Sequence, residues 1–598
     1  MKLSKLYTNK PRFFSPIEFV PGLNVVMAEI RIPEDRRKDT HNLGKTTLGR
    51  LLDFALLSSK DKNFFLFKHF DIFKEFVFFL EIDLLNGSFL TIRRSVGDAT
   101  KITLKKHSAQ YQNFAQLSDT EWDHLDIPFD RAKVLLDSLL DLRALAPWQY
   151  RKGLGYFLRS QDDFRDEFQL RRFAGAHSDW KPFLAHLFGF NAEQIENYYK
   201  IEDKLSEKKN YEAVIKSEFH GSLEDISKIE GIILIKQKEC EKKQNYLDSF
   251  DFREQDKEQT KNIVDTYDIR ISELNNERYR LNQNRKKIVA SLDSEKILFD
   301  PDSAEKLFKE AGVLFSGQIK KDFEQLISFN KDITEERIGY LIEEKIEIDK
   351  FLKKIEDELK LLGKKRKDAL SFLSSTDIFD KYKKTSDEVV NLKADIAFHE
   401  RQKTSLQNLQ ALRTEIRLLS EEKTRLQVEI EKDIEVQNGN KESLFSIFRL
   451  FFNEIIESVI DRKALLSVSV NKEGHLDFSA EILDDTGNET SASLGHTYKK
   501  LMCAAFDMAL LRAHSGQRFP QFVYHDGIFE SLDDRKKLNL LEVVREYTAL
   551  GIQNIVTLID SDLPKQNPDD EPLFISAEIV LALHDENDQG KLFKMPSW

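Results

Sequence analysis

An α/β unit assembled from both ends of the chain, with a long antiparallel α-helical coiled-coil arm inserted between its halves, is the fold class this sequence predicts. Three observations point to it. Proline is absent between Pro182 and Pro301 and again until Pro520, and proline-free sequence rich in Glu, Lys, Leu and Ile can hold uninterrupted helix. Strand-like apolar runs are confined to the flanks. Finally, each flank carries only part of a set of loop motifs, and the two parts complement each other.

At 598 residues the chain is long enough for two or three cores. Its first part, 1–190, carries strand patterns at 13–32 and 76–96, where Phe89, Thr91 and Arg93 alternate with Leu90, Ile92 and Arg94. Residues 191–297 read as the first arm, with Gly221 and Gly231 as candidate interruptions. Residues 298–336 form a turning element: 298–329 hold Pro301, Gly312, Gly317 and the apolar cluster Val313, Leu314 and Phe315. The second arm, 337–440, shows its seam directly. Leu409, Leu412, Ile416, Leu419, Leu426 and Ile430 follow steps of three and four, with Lys423 in the one missing place, a heptad pattern that requires a partner helix. Arms of about 100 residues would reach roughly 150 Å at 1.5 Å per residue; a helical bundle folded back is the alternative. The last part, 441–598, is again α/β, with β-branched and aromatic runs at 464–483, 521–526 and 553–559.

Charge and composition exclude several classes. Charged residues make up 32%, above the usual quarter, and the excess sits in the arms. A net charge of −12 leaves nucleic-acid contact to local basic patches, such as Lys364 to Lys367 or Lys242 with Lys243. Charged arm faces are more often plain solvated surface. Cys240 and Cys503 have no metal-ligand spacing and form no disulfide framework, which fits a reducing cytoplasm. The start lacks a signal-type apolar core, and apolar runs such as 76–80 fall far short of the ~20 residues a membrane helix needs. The expectation is a soluble cytoplasmic chain with no membrane partner.

The loop motifs carry the chemistry. Residues 25–52 read as strand, loop and helix, and the loop ends in Asn42, Leu43, Gly44, Lys45, Thr46 and Thr47. A phosphate-binding loop needs free backbone amides, a lysine for the β and γ phosphates, and a hydroxyl for Mg²⁺. Gly44, Lys45 and Thr46 supply its last three positions, although the first glycine is replaced by Asp39 and Asn42 stands where another glycine is usual. The far flank offers Phe522 to Asp526, an apolar strand ending in a carboxylate that can hold Mg²⁺; a capped buried strand is the plain alternative. Seven residues after Asp526, with Leu532 before it, stands Asp533. Upstream, Ser493, Leu494, Gly495 and His496 lead into a helix over 497–512, suited to meeting a phosphate; a capped loop competes. Gln161 stands between the phosphate loop and the first arm; a lone glutamine says little, and a role for it in sensing Mg²⁺ comes only from a family resemblance.

The order of phosphate loop, glutamine loop, coil, tip, coil, signature and carboxylate strand resembles the SMC superfamily of ABC-type ATPases, over nearly the whole chain. More narrowly, the run from His41 to Thr47, the Gly-His-Thr-Tyr-Lys-Lys stretch from Gly495, and His525-Asp526-Gly527 are similar to a bacterial family of SMC-like ATPases of multi-gene conflict systems. The resemblance implies an ABC-type head, ATP and Mg²⁺ as cofactors, and a homodimer around sandwiched ATP. It further implies duplex DNA as a ligand and effector and accessory subunits, often a nuclease, from the same operon. Zinc-hook cysteines are absent at the tip. One departure matters: the glutamate that usually follows the Asp526 position is Gly527, so either Glu530, four residues after Asp526, bends into reach as its replacement or hydrolysis is slow. Residues 555–558 lack the usual switch histidine and run into Asp560. A hydrolysis-deficient ATP-gated scaffold, a repair or recombination ATPase and a purely structural coiled coil are the alternatives.

Overall fold

In the computed structural model, the described residues are 1–31, 43–171, 175, 177–218, 225–249, 257–293, 317–370, 376–484, 486–488, 490, 495–530, 532–564, 572–596 and 598. They form two units: Met1–Glu202 with Glu422–Trp598, and Asp203–Glu421.

The first unit begins with strands β1 (Lys2–Thr8), β2 (Ile17–Glu18) and β3 (Leu23–Glu29) and helix α1 (Lys45–Ala55). Strands β4 (Val77–Asp83), β5 (Phe89–Ser95), β6 (Lys101–His107) and β7 (His124–Pro128) follow. Then come α2 (Phe129–Leu140), α3 (Tyr150–Phe157), β8 (Leu158–Arg159) and α4 (His177–Leu187). After the arm come α10 (Leu444–Ile460), β9 (Ala464–Val470), β10 (Leu476–Ile482), α11 (His496–Ala513), β11 (Phe522–Asp526), α12 (Asp534–Ala549), β12 (Gln553–Ile559) and β13 (Ile579–His584). For the arm itself the labels are α5 (Ala192–Glu218), α6 (Asp225–Asp248), α7 (Lys257–Asp293), α8 (Gly317–Leu370) and α9 (Thr376–Gly439).

One antiparallel sheet, β2-β1-β4-β5-β6-β7, belongs wholly to the first flank. The other main sheet, β13-β3-β12-β11-β8, is parallel throughout and mixes strands from both ends. Its central strands β12 and β11 are buried along their entire length, as parallel strands covered on both faces must be. Amide-to-carbonyl exchange sews the ends together: buried Gln553 accepts from the Leu3 amide at 2.8 Å and donates to the Leu3 and Val20 carbonyls. An apolar aromatic cluster does the same, with Phe593 packed on Phe14, Phe65, Phe73, Phe76 and Phe78.

In the arm, Leu409, Leu412, Leu426 and Ile430 of the seam are buried, and Lys423 reaches Glu202 across it at 2.6 Å. Pairing runs antiparallel: Lys208 meets Glu415 and Arg413 meets Glu212, while Lys236 meets Asp395 and Lys243 meets Glu388. The arm nevertheless differs from the simple hairpin expected. Arg270–Glu358 and Arg285–Asp349 pair α7 with α8 in antiparallel sense. Asp268–Ser386 and Tyr279–Phe398 run α7 parallel to α9. Cys240, Leu247, Val264, Leu370, Tyr382 and Val389, from α6 to α9, share one apolar cluster, so here the helices form a bundle. Helix α8 starts within the expected turning element and ends at Leu370, so the second arm is two helices. Residues 298–316 and Gly221 lie outside the described residues, and Gly231 sits inside α6 without breaking it. Arg366, counted above in a basic patch, is instead buried against Asp268, Asp387 and Ser386.

Candidate functional site

Strand β3 delivers the chain to the phosphate-loop sequence, of which Asn42 lies outside the described residues, as do Ser493 and Leu494. Gly44 caps α1 at φ +106°, a left-handed conformation, and a Cβ there would stand 2.6 Å from Leu592 Cβ. Only glycine satisfies both demands. The C-terminal strand region thus buttresses the loop from behind, and the Leu592 amide donates to the Leu43 carbonyl at 3.0 Å. At the other end of α1, Arg94 donates to the Phe54 carbonyl, and Tyr150 and Arg151 donate to that of Leu56. These donors satisfy carbonyls that a helix end leaves open and fix α1 against the sheet.

Lys45 opens α1 and is buried, and its Nζ has no hydrogen-bond partner among the described residues. Burial lowers its pKa, while Glu530, Asp526, Asp562 and Asp560 oppose the shift. Asp526, from the far end of the sequence, closes β11 in the same place. Thr557 Oγ1 donates to its Oδ1 at 2.6 Å, but buried Oδ2 has no hydrogen-bond partner among the described residues. Its pKa is raised by burial, against Thr557, Thr46 and Lys45. Unpartnered buried polar atoms are rare and costly. A cation at one and an anion at the other, converging from opposite chain ends, make a site that Mg²⁺ with polyphosphate fits. Thr46 and Asp526 could hold the metal, and Lys45 the phosphates. Among the described residues no cluster of three or more His, Cys, Asp or Glu could hold a metal ion by protein side chains alone.

A cleft of about 780 Å³ opens here, lined by Thr46, Asp526, Gln161, Arg50 and Arg171 among others. Gln161 is exposed and donates to Glu530 Oε1 at 3.3 Å. Glu530 sits against Gly527, whose φ is +74°, and a Cβ on Gly527 would meet Glu530 Oε1 at 2.6 Å. Its Oε2 accepts from Lys500 Nζ at 2.7 Å. Thr47 is half-buried in the first turn of α1, and Gly495 is the exposed cap of α11. Asp533 caps α12 by accepting from the Lys536 amide.

Several partners escaped the sequence reading. Lys500 stands within the stretch that begins at Gly495, which is the signal that could have found it. Asp562, two residues past Asp560, carries a buried Oδ2 without a hydrogen-bond partner among the described residues, and its pKa is raised by burial and by Glu530. Behind the site, buried Arg159 pairs with Asp507 through Nε at 2.7 Å and Nη2 at 2.8 Å. His525 Nε2 donates to the same carboxylate at 3.1 Å. This set ties β8, α11 and β11 together, and no local sequence signal links residues so far apart.

The raised pKa of Asp526 has a sign that can be tested. A carboxyl whose folded pKa exceeds its unfolded value stabilises the fold fully below the ordinary carboxylate pKa, and that contribution is lost as pH rises through the folded value. At pH 7 the nucleotide-free fold therefore carries a cost that Asp526→Asn removes. The variant is expected to melt above wild type at pH 7, with the gap closing toward about pH 4, while Mg²⁺-dependent nucleotide binding is lost. Equal melting temperatures at pH 7 would count against the buried charge.

A family model described as an uncharacterised protein conserved in bacteria (DUF2326) matches residues 455–597. No curated protein matches the chain. Among solved structures, the Smc head domain with a coiled coil and joint derived from Pyrococcus yayanosii is 15% identical, with a TM-score of 0.34, over 93% of this chain and 92% of that one. The Smc head domain with an extended coiled coil bound to the C-terminal domain of ScpA, from Pyrococcus furiosus, is 12% identical, with a TM-score of 0.32, over 94% and 90%. Likeness at that level leaves the reading of the site resting on its own geometry.

Proposed function

We propose that this chain is an SMC-like ATPase whose ABC-type head is built from its two ends and binds Mg²⁺-ATP between Lys45 and Asp526. The observation that carries this is the pair of buried atoms, Lys45 Nζ and Asp526 Oδ2, that share one site and have no hydrogen-bond partner among the described residues. In this reading Lys45 neutralises the phosphates, and the amides at the start of α1 hold their oxygens. Thr46 and Asp526, with Gln161 beside them, would hold Mg²⁺, which would supply positive charge against that on the leaving phosphates. Glu530 accepts a proton from water as the water oxygen bonds to the γ-phosphorus. The bond from that phosphorus to the β-phosphate oxygen breaks, giving ADP and phosphate.

The reading extends to a cytoplasmic homodimer in which Ser493 and Gly495 of one head face the nucleotide of the other. Duplex DNA is the proposed ligand, and effector and accessory subunits from the same operon, acting against phage or plasmids, are the proposed partners. Support for these rests on the motif resemblance. The basic arm cluster gives DNA binding less support than expected, since Arg366 is already paired.

Steady-state ATP hydrolysis by wild type and Glu530→Gln, with and without linear duplex DNA, tests the proposal. Turnover stimulated by DNA and reduced about 10²-fold or more by Glu530→Gln is expected. Gly527→Ala should lower turnover as well, because its Cβ would displace the Glu530 carboxylate. ATP-dependent dimerisation without turnover would favour the scaffold reading.

A further inference from the structure

We infer that Lys500 is a positioning residue that holds the Glu530 carboxylate in the place where a side chain at Gly527 would otherwise emerge. The inference rests on the ATPase reading and deepens it. The geometry begins at Gly527, which has no Cβ and a left-handed φ of +74°. The space beside its Cα is occupied by the carboxylate of Glu530, with Oε1 2.6 Å and Oε2 3.0 Å from an ideal Cβ. A side chain three residues on thus returns to the point from which the usual catalytic carboxylate departs.

A free glutamate has too many rotamers to stay there unaided. Lys500 removes that freedom from two directions. Its Nζ donates to Glu530 Oε2 at 2.7 Å and to the Gly527 carbonyl at 3.3 Å, clasping both the carboxylate and the backbone it covers. Gln161 Nε2 holds the other oxygen, Oε1, at 3.3 Å. Lys500 is itself buried, with a side chain 7% exposed, and a buried ammonium needs a matched anion. Glu530 is its one salt-bridge partner among the described residues. Its neighbour Lys499 is committed elsewhere, 2.8 Å from buried Glu167.

The arrangement couples two motifs. Lys500 lies in the second turn of α11, whose cap is Gly495, so any shift of that helix start moves the carboxylate. The other charges near Glu530 are Lys45, Asp526 and Asp562. Lys500 and Lys45 thus face it as cations, and Asp526 and Asp562 as anions. Removing Lys500 leaves the carboxylate without its salt-bridge partner and next to two like charges, free to leave the space beside Gly527.

The test compares wild type, Lys500→Met, Lys500→Arg, Glu530→Gln and the double variant Lys500→Met/Glu530→Gln in steady-state ATP hydrolysis from about pH 5 to 9. Lys500→Met is expected to lower kcat at least about tenfold, part of the 10²–10⁴ that a positioned base supplies, with the ATP KM within about twofold of wild type. Lys500→Arg should recover most of the rate. In the Glu530→Gln background, Lys500→Met should have no further effect, since it acts through that carboxylate; this arm also reads the proposal if the single variant folds poorly. Unchanged kcat in Lys500→Met, or an additive loss in the double variant, overturns the role of Lys500 alone. Wild-type protein that binds ATP without turning it over overturns both this inference and the hydrolytic reading.

Discussion

Lys45→Met is expected to weaken Mg²⁺-ATP binding by at least about 100-fold while leaving the nucleotide-free protein as stable as wild type or more so. An ammonium that contacts two phosphates gives up two charge-assisted hydrogen bonds of about 1.5–3 kcal/mol each, and tenfold in affinity is about 1.4 kcal/mol. The second half of the expectation separates function from structure. Lys45 Nζ is buried without a hydrogen-bond partner, and burial lowers its pKa. A group whose folded pKa is depressed in this way costs stability wherever it stays charged, so an apolar side chain of similar length relieves the fold. Titration of fluorescent ATP together with thermal melts in the absence of nucleotide reads both quantities. Equal affinity in the two proteins would remove the phosphate-loop assignment; a large drop in apo stability would make Lys45 a structural residue.

The second large effect lies behind the site. Asp507→Ala should destabilise the α/β unit by about 3–5 kcal/mol, the usual cost of stripping one partner from a buried ion pair. Arg159 would keep its bonds to the Asp163, Asp166 and Glu167 carbonyls but lose its only carboxylate among the described residues. His525 would lose its acceptor in the same step. The tryptophans at 122, 148, 180 and 598 all lie in this unit, so urea unfolding followed by tryptophan fluorescence reports on it and not on the arm. A loss below about 1 kcal/mol would mean that the backbone carbonyls alone hold the guanidinium. Because β8 runs straight into Ser160 and Gln161, the same variant should also reduce whatever the site does with nucleotide.

Much of this architecture is written in local patterns. The strands at 464–470, 522–526 and 553–559 and the helix from His496 fall where periodicity and β-branched content put them, because apolar spacing answers directly to burial. The heptad seam of α9 reads the same way, since only a partner helix can cover it. The bundling of α6 to α9 was not legible: where charged helices double back depends on packing choices among surfaces that all look alike in sequence.

At the site the division is sharper. Gly44, Lys45, Thr46 and Asp526 could be named as candidates because the proposed phosphate and Mg²⁺ chemistry would demand particular residue types next to a strand end or a helix start. Their convergence is tertiary: Lys45 and Asp526 are brought together by β3, β12 and β11 pairing side by side. Glu530 could be named as a candidate but not placed, because its position depends on the left-handed turn at Gly527 and on Lys500 from another helix. Arg159, Asp507 and His525 carry no motif at all, and only the folded chain pairs them. Element types, the split of the α/β part between the chain ends and the candidates for phosphate chemistry are legible in the chain itself, since each follows from periodicity or from local chemical demands. Which buried charges find partners, and which are left open toward a ligand, was decided only by the tertiary structure, because electrostatic pairing depends on distances of a few ångströms between residues hundreds of positions apart.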